Sequence, residues 1–296
     1  MLAANDLFVG DTGFDGVKTP TAWKQFGFDI DGKVSTETSL DLCQPAAGGK
    51  KTSVYPDGDL GIDNGFGKNV MVKILAALVP DLSATITQTI HDGDYTLLLT
   101  FDGLGAETDV PALATRLHAG APLGKPALFD GSDCWSVVPE LLDDPTDIES
   151  SKVIFPTSAL EANVWSSNGV ATLTLDLPMG DFPLRLQIHE ARMRTTLDPD
   201  HQGATLGHIG GVLDTEELIA EFTKTAGTFD PALCQGQTIE AIANQIRQAS
   251  DILLDGTQDP LQTCNGISIG IGFKMRNAGL AGVGQPTPPV DDPCVP

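Results

Sequence analysis

Positive charge is what this sequence has least of. Lys and Arg together number 17 against 40 Asp and Glu, a net charge of −23 at pH 7. So acidic a chain has little with which to displace counterions from a nucleic acid or to hold an anionic bilayer, which excludes both as partners. Nowhere do 18 apolar residues run together, so no segment spans a membrane. The five cysteines include no C-x-x-C pair, which argues against a zinc ribbon or finger. There is no G-x-S-x-G elbow, no P-loop and no G-x-G-x-x-G after a strand. His189–Glu190 begins like a zinc-protease H-E-x-x-H, but Met193 stands where the second histidine is needed. No catalytic residue is therefore assigned. A carboxylate pair drawn from separate strands leaves no local motif, so a carbohydrate-active hydrolase remains an alternative.

The 296 residues allow one large domain or two modest ones, and 41% hydrophobic residues suffice for a real core. Residues 1–20 read as a flexible lead-in, broken by Gly10, Gly13, Gly16 and Pro20. Residues 21–282 read as one large domain, with two lobes and a seam near 131–150 left open. Residues 283–296 form a Pro/Asp tail. Within the domain, Trp23–Ile30 reads as a strand. Lys68–Asp92 reads as helical, with Met71, Ile74, Leu75, Leu78, Leu82, Ile86 and Ile90 on one face, kinked or split at Pro80 and stopped by Gly93.

From Tyr95 the pattern turns to strand, through YTLLLTF, KVIFPTSALEANVW, ATLTLDL and PLRLQIHEARMRTTL. In the last of these the alternation slips by one residue near His189–Glu190, which predicts a β-bulge. Asp214 with Glu217 predicts a capped helix over Leu218–Ala226 ended by Gly227. Thr238 opens a second, with Ile239, Ile242, Ala243, Ile246, Ala249 and Leu253 on its face, ended by Gly256. In GISIGIGFKM, Ile267, Ile269, Ile271, Phe273 and Met275 share one face. Gly270 and Gly272 on the other leave room for a close neighbour. Consecutive strands between groups of helices predict an α+β fold, with a mostly antiparallel sheet, sandwich-like or strongly curved, and three or four packed helices.

The strongest chemical signal is PDGDLGIDNGFG. Asp57, Asp59 and Asp63 hold positions 1, 3 and 7 of a calcium-loop spacing, and Gly58 and Gly61 let the backbone turn tightly. Position 5 is Gly61 and position 12 is Lys68 rather than Glu, so the loop is not an EF-hand. Asp29 and Asp31 in FDIDGK could complete the shell. The expectation is a structural Ca2+ on these five aspartates, weighed against Asp and Gly as ordinary turn residues. The acidic clusters at Asp92–Asp94 and Asp143–Asp147 read as solvated turns. Arg185, Arg192 and Arg194 could form a stripe for an anionic ligand, although cross-strand pairing with carboxylates is the commoner use. Strands following an apolar helical stretch could also wrap an apolar ligand, or simply form a helix-on-sheet core.

In an oxidising compartment the cysteines allow two disulfides and one odd thiol. Cys294 lies in a tail with almost no core-forming residues, where a bridge to Cys43 or Cys264 would hold it. Free thiols in a cytosolic protein are the alternative. MLAANDLFVGDTGFDG lacks the basic and apolar regions of a signal peptide, consistent with a cytosolic chain or with the mature part of an exported one.

The runs GFDIDG, CQPAAGG and DGDLGIDNGFGKN, the stretch GGVLDTEELIAEF, and QIRQASDILLDGTQDPLQTCNGISIGIGF are similar to uncharacterised secreted or lipid-anchored envelope proteins of myxobacteria, from about residue 22 to 275. The resemblance implies an exported protein at the outer-membrane surface or outside the cell. It implies no activity. It makes Cys43, Cys234 and Cys264 the expected structural cysteines, alongside Cys294, and leaves Cys134 as the odd thiol. The resulting expectation is an exported binding or structural protein stabilised by calcium. The alternatives are a carrier of a lipid or other apolar small molecule and the hydrolase above; a surface glycan is a further conceivable partner.

Overall fold

The computed structural model describes residues 1–77, 79–179, 182–286 and 292–295. Leu78 of the expected helical face, and residues 287–291 and 296 of the expected tail, lie outside them. Twelve strands build the fold: β1 (Leu2–Phe8), β2 (Thr96–Phe101), β3 (Thr115–Gly120), β4 (Cys134–Val137), β5 (Val153–Phe155), β6 (Ala159–Glu161), β7 (Val164–Ser166), β8 (Ala171–Met179), β9 (Phe182–Leu197), β10 (Gly203–Asp214), β11 (Gly266–Asn277) and β12 (Gly279–Val283). They form one sheet in the order β12-β4-β3-β2-β1-β11-β10-β9-β7-β6, with β5 beside β3 and β8 beside β9. Every ladder is antiparallel except β12 on β4, so the strongly curled sheet is antiparallel-rich but mixed. The α-helices are α1 (Lys51–Val54), α2 (Leu82–His91), α3 (Thr215–Phe229) and α4 (Gln237–Arg247). The class is broadly α+β.

The first correction concerns the lead-in. Residues 2–8 are a central strand, paired with β2 on one side and β11 on the other. Leu2, Ala3, Ala4, Leu7, Phe8 and Val9 are all buried. A strand covered on both faces does not alternate, and the glycines that suggested a loose segment begin only at Gly10.

Trp23–Ile30 is likewise not a strand. Ala22–Gln25 forms a 3-10 turn, and the segment after it lies across the glycine face of β11. A Cβ on Gly270 would stand 2.1 Å from the Phe26 carbonyl oxygen, and one on Gly272 2.4 Å from the Phe26 ring. The expected close neighbour is therefore this segment. Its Trp23 and Phe26 carbonyls are taken by the Asn64 amide rather than by a strand partner.

The expected helix over 68–92 is split at Pro80, as proline geometry requires. Phe66–Met71 is a π-helical turn, Leu75–Ala77 a 3-10 turn, and α2 resumes at Leu82. Gly93 (φ +82°) ends it. Met71, Ile74, Leu75, Leu82, Ile86 and Ile90 all enter the main core, together with the inward face of β11 from Ile267 to Met275. The bulge near His189–Glu190 is present. Gly210 pairs with Arg192 and Val212 with His189, so Glu190 and Ala191 oppose Gly211 alone, and Glu190 takes φ +50°. A Cβ on Gly211 would sit 2.5 Å from the His189 carbonyl oxygen, which is why that position is glycine.

Asp214 caps α3, accepting from the Glu216 and Glu217 N–H groups at 2.8 and 3.0 Å. Asp214→Ala is expected to cost about 1 kcal/mol, read as a lower urea midpoint with an unchanged slope. Gly227 does not stop α3, which runs on to Phe229. Its role is space, since a Cβ there would lie 2.6 Å from Cys294 Sγ and 2.7 Å from Cys234 Sγ. The predicted second helix ends at Arg247 rather than at Gly256, although Ala249 and Leu253 are still buried.

Two disulfides close the fold, Cys43–Cys264 and Cys234–Cys294. All four expected cysteines are used, and Cys134 is a free, exposed thiol. The partner expected for Cys294 is corrected. Cys43 and Cys264 are already brought together by a two-bond backbone clip, Gln44 N–H to the Gln262 carbonyl and Cys264 N–H to the Gln44 carbonyl. Cys294 instead pins its segment onto α3. With two disulfides, and no described helix long and apolar enough to cross a membrane, the chain is consistent with an oxidising location outside the cell.

Candidate metal centre

Asp29, Asp31 and Asp63 each offer a carboxylate oxygen, and these oxygens lie within 4.8 Å of one another. Oxygens that share a cation at 2.3–2.6 Å stand no more than about 5 Å apart, so the triad has the right dimensions. It is assembled by a short backbone pairing of two loops, in which the Asp63 N–H donates to the Phe28 carbonyl at 2.8 Å. Asp63 Oδ2 in turn accepts from the Ile30 N–H at 2.7 Å and the Asp31 N–H at 3.3 Å. Asp31 is oriented by the Lys33 N–H on its Oδ1 at 2.8 Å. Its Oδ2 is buried with no hydrogen-bond partner among the described residues. The Gln258 side chain, whose Nε2 donates to the Asp251 carbonyl, also lies against this carboxyl and favours its ionised form.

Gly61 makes the approach possible. It has φ +86°, and a Cβ there would stand 2.9 Å from the Lys33 carbonyl oxygen and 3.3 Å from Asp29 Oδ2. Any side chain would therefore be strained in its own backbone and pushed into the second loop.

Behind the triad lie two further carboxylates. Asp57 is half-buried, and its Oδ2 accepts from the Ser35 N–H. Asp251 accepts from the Ser268 N–H at 2.8 Å and from the Ser268 hydroxyl. Besides Lys33, whose Nζ is paired with Asp41, the cation set among these groups is Lys68. Its Nζ donates to the Pro56 carbonyl at 2.6 Å and lies 5.3 Å from the Trp23 ring centroid. Burial pushes Asp63 up to about 9, with Asp31 and Asp251 adding to it. Burial, then repulsion from Asp31 and Asp251, also raises Asp57 to about 7. Asp251 rises to about 6 through burial, and Asp31 is raised chiefly by burial. Burial lowers Lys68 to about 8 in spite of Asp251 and Asp57. These carboxylates keep their protons at the expense of ionisation, whereas a bound divalent cation would favour their ionised form.

Of the five aspartates expected as ligands, the fold unites three. Asp57, whose Oδ2 accepts from the Ser35 N–H, is not among the grouped carboxylates. Asp59 is exposed at the start of the Asp59–Gly61 turn and is not among the grouped carboxylates. Asp57 and Asp59 stand apart from the triad for a geometric reason. The turn at Leu60 (φ +57°) and Gly61 folds the loop back onto Phe28–Asp31. Lys68, standing where a calcium loop would carry Glu, is the buried counter-charge.

The residue that sequence reading missed is Asn64. β1 stops opposite Gly272, leaving the next outward-facing backbone groups of β11 without a strand partner on that side. The Asn64 carboxamide replaces the strand: its Oδ1 accepts from the Gly270 N–H at 3.0 Å and its Nδ2 donates to the Gly270 carbonyl at 3.1 Å. The same Oδ1 accepts from the Gly67 N–H at 2.9 Å. Asn64 thereby anchors the Asp63 loop to the sheet. Its only sequence signal is its place beside Asp63 in a glycine-rich turn.

The histidines show no metal grouping with other ligands among the described residues. His201 bridges loops through the Gly105 carbonyl and Asn163, and His189 lies 3.5 Å from Glu217. Asp144 and Asp147 cap turns through the Thr146 and Glu149 N–H groups, as expected of solvated acidic turns. Comparison of the chain with protein-family models, with curated proteins and with solved structures found no match.

Proposed function

We propose that this protein is an exported binding or structural protein whose fold is locked by one hard divalent cation, calcium, held by Asp29, Asp31 and Asp63. The observation that carries this reading is the convergence of three carboxylates from two loops, with Asp63 buried and Asp31 half-buried among them. Hard oxygen donors without imidazole or thiolate favour calcium over zinc or copper. The role is structural: the ion would cross-link the 28–31 loop to the 61–65 loop, and Asn64 would transmit that link to β11. The disulfides support a location where calcium is plentiful and thiols are oxidised.

The test is elemental analysis of the purified chain after equilibration in calcium and removal of free ion. About one calcium per chain is expected for a single site of this kind. Asp63→Asn and Asp31→Asn should each reduce it to background, while Asp59→Asn should leave it unchanged. No bound metal in the parent chain would refute the reading, and so would equal binding by all three variants.

A further inference from the structure

The chain has six arginines. Four are tied to carboxylates: Arg116 to Asp102 and Glu149, Arg185 to Asp176, Arg247 to Glu216 and Arg276 to Asp198. Arg192 and Arg194 carry no ion pair or side-chain hydrogen bond among the described residues. In a chain with 40 acidic residues, two free guanidinium groups on one strand are notable. Residues two apart on β9 face the same side. Arg192 pairs across the sheet with Gly210 and Arg194 with His208. Because Gly210 has no side chain, the Phe28 ring settles there; a Cβ on Gly210 would be 2.7 Å from the Phe28 Cδ2.

The result is an open cavity of about 280 Å³ whose walls include Arg192, Phe28, Ser166, Asn168, Val170 and Met193. Its chemistry is divided. Phe28 and Val170 supply apolar surface. The Arg192 guanidinium, the Ser166 hydroxyl and the Asn168 carboxamide supply polar groups that no protein partner uses among the described residues. Asn168 is held in a left-handed turn (φ +50°) over Ser167, whose hydroxyl bridges the Met193 N–H and the Gly169 carbonyl. That bridge fixes the loop against β9. Beside the cavity, His208 has a buried Nδ1 with no partner among the described residues, and burial together with Arg194 keeps the ring neutral, lowering it to about 4.

We propose that this cavity binds a small organic carboxylate, its carboxylate on the Arg192 guanidinium and its apolar body against Phe28 and Val170. A guanidinium presents two parallel N–H donors that match a planar carboxylate, and the adjoining hydroxyl and amide can take the remaining lone pairs. The size of the cavity, at the small end of ligand sites, selects a compact aromatic or short aliphatic acid. Arg194, one pleat along the same face, adds positive potential where the rest of the molecule repels anions. None of the acidic triad lines the site, although Phe28 belongs to the loop that carries Asp29 and Asp31.

The experiment is a titration of the full chain with benzoate, followed by calorimetry and by saturation transfer from protein to ligand. Saturable binding in the millimolar range or tighter is expected for a ligand of this size. Benzamide, of the same shape without the charge, should bind about tenfold more weakly or worse. Arg192→Gln should weaken benzoate by about tenfold or more, while Arg185→Gln, which removes a guanidinium already committed to Asp176, should leave it unchanged. Val170→Trp, at a half-exposed position, should block binding by filling the cavity and serves if Arg192→Gln does not fold. Absence of saturable benzoate binding would overturn the proposal. So would equal affinity for benzamide, equal affinity in both the Arg192 and Val170 variants, or binding of inorganic phosphate in place of benzoate.

Discussion

Stripped of divalent cations, this protein is expected to lose stability as the pH rises from 5 to 8. In the unfolded chain its aspartates ionise near 3.8, whereas in the fold Asp63 is raised to about 9, Asp57 to about 7 and Asp251 to about 6, with Asp31 also raised. Between those values the folded state holds protons that the unfolded state has released, so the stability these groups contribute at low pH is lost as pH climbs through their folded values. Lys68, lowered to about 8, acts in the opposite direction, but only above about pH 8. The expected loss is on the order of several kcal/mol between pH 5 and 8, most of it from Asp63 and Asp57, seen as a falling urea midpoint.

Calcium should flatten this profile, because the ion favours the ionised carboxylates that the fold otherwise resists. At pH 8 and about 100 times the dissociation constant, a bound ion adds roughly 2.7 kcal/mol. For a chain of this size that corresponds to about 5–10 °C in Tm. The gain should shrink at pH 5, where protons compete for the same oxygens. A pH profile that is flat without calcium, or a calcium effect that is larger at pH 5 than at pH 8, would contradict the electrostatic account of the site.

Asn64→Ala is expected to be the most damaging single truncation near the site. It removes one buried carboxamide that serves the Gly270 N–H and carbonyl, the Gly67 N–H and the carbonyls of Trp23 and Phe26. Leaving several buried backbone groups unpaired should cost about 3–5 kcal/mol, or roughly 10 °C in Tm. Asn64→Asp keeps an acceptor for the two N–H groups but loses the donor and adds another charge behind Asp63, so it should also destabilise, more at pH 8 than at pH 5. Because Asp63 is the neighbouring residue, both variants should weaken calcium binding as well as the fold. An Asn64→Ala midpoint within about 1 kcal/mol of the parent would show that the backbone groups find other partners.

Local pattern carried far in this chain wherever one face of an element is wet. The period of α2, the cap at Asp214, the split at Pro80 and the bulge at Glu190 all follow from short-range rules that tertiary contacts did not override. The inward row from Ile267 to Met275 was readable for the same reason. β1 escaped notice because it is buried on both faces and so lacks alternation. Trp23–Ile30 was misread because its apolar side chains pack against the sheet while its backbone bonds a side chain, Asn64, instead of a strand.

The aspartates illustrate the same division. Composition and spacing marked an Asp–Gly loop able to hold a cation and pointed to Asp29 and Asp31 as its completion, because hard-oxygen donors and turn-forming glycines are local properties. Which aspartates meet was decided by the turn at Leu60–Gly61 together with the pairing of Asp63 with Phe28, a contact made across more than 30 residues. The same holds for the disulfides: the sequence identified the four cysteines and the odd one, but Cys294 pairs with Cys234 because Gly227 opens room for the bridge on α3. The free Arg192 was visible as a residue from the start. Only the sheet register, which sets it beside Gly210 and the Phe28 ring, makes it one wall of a cavity.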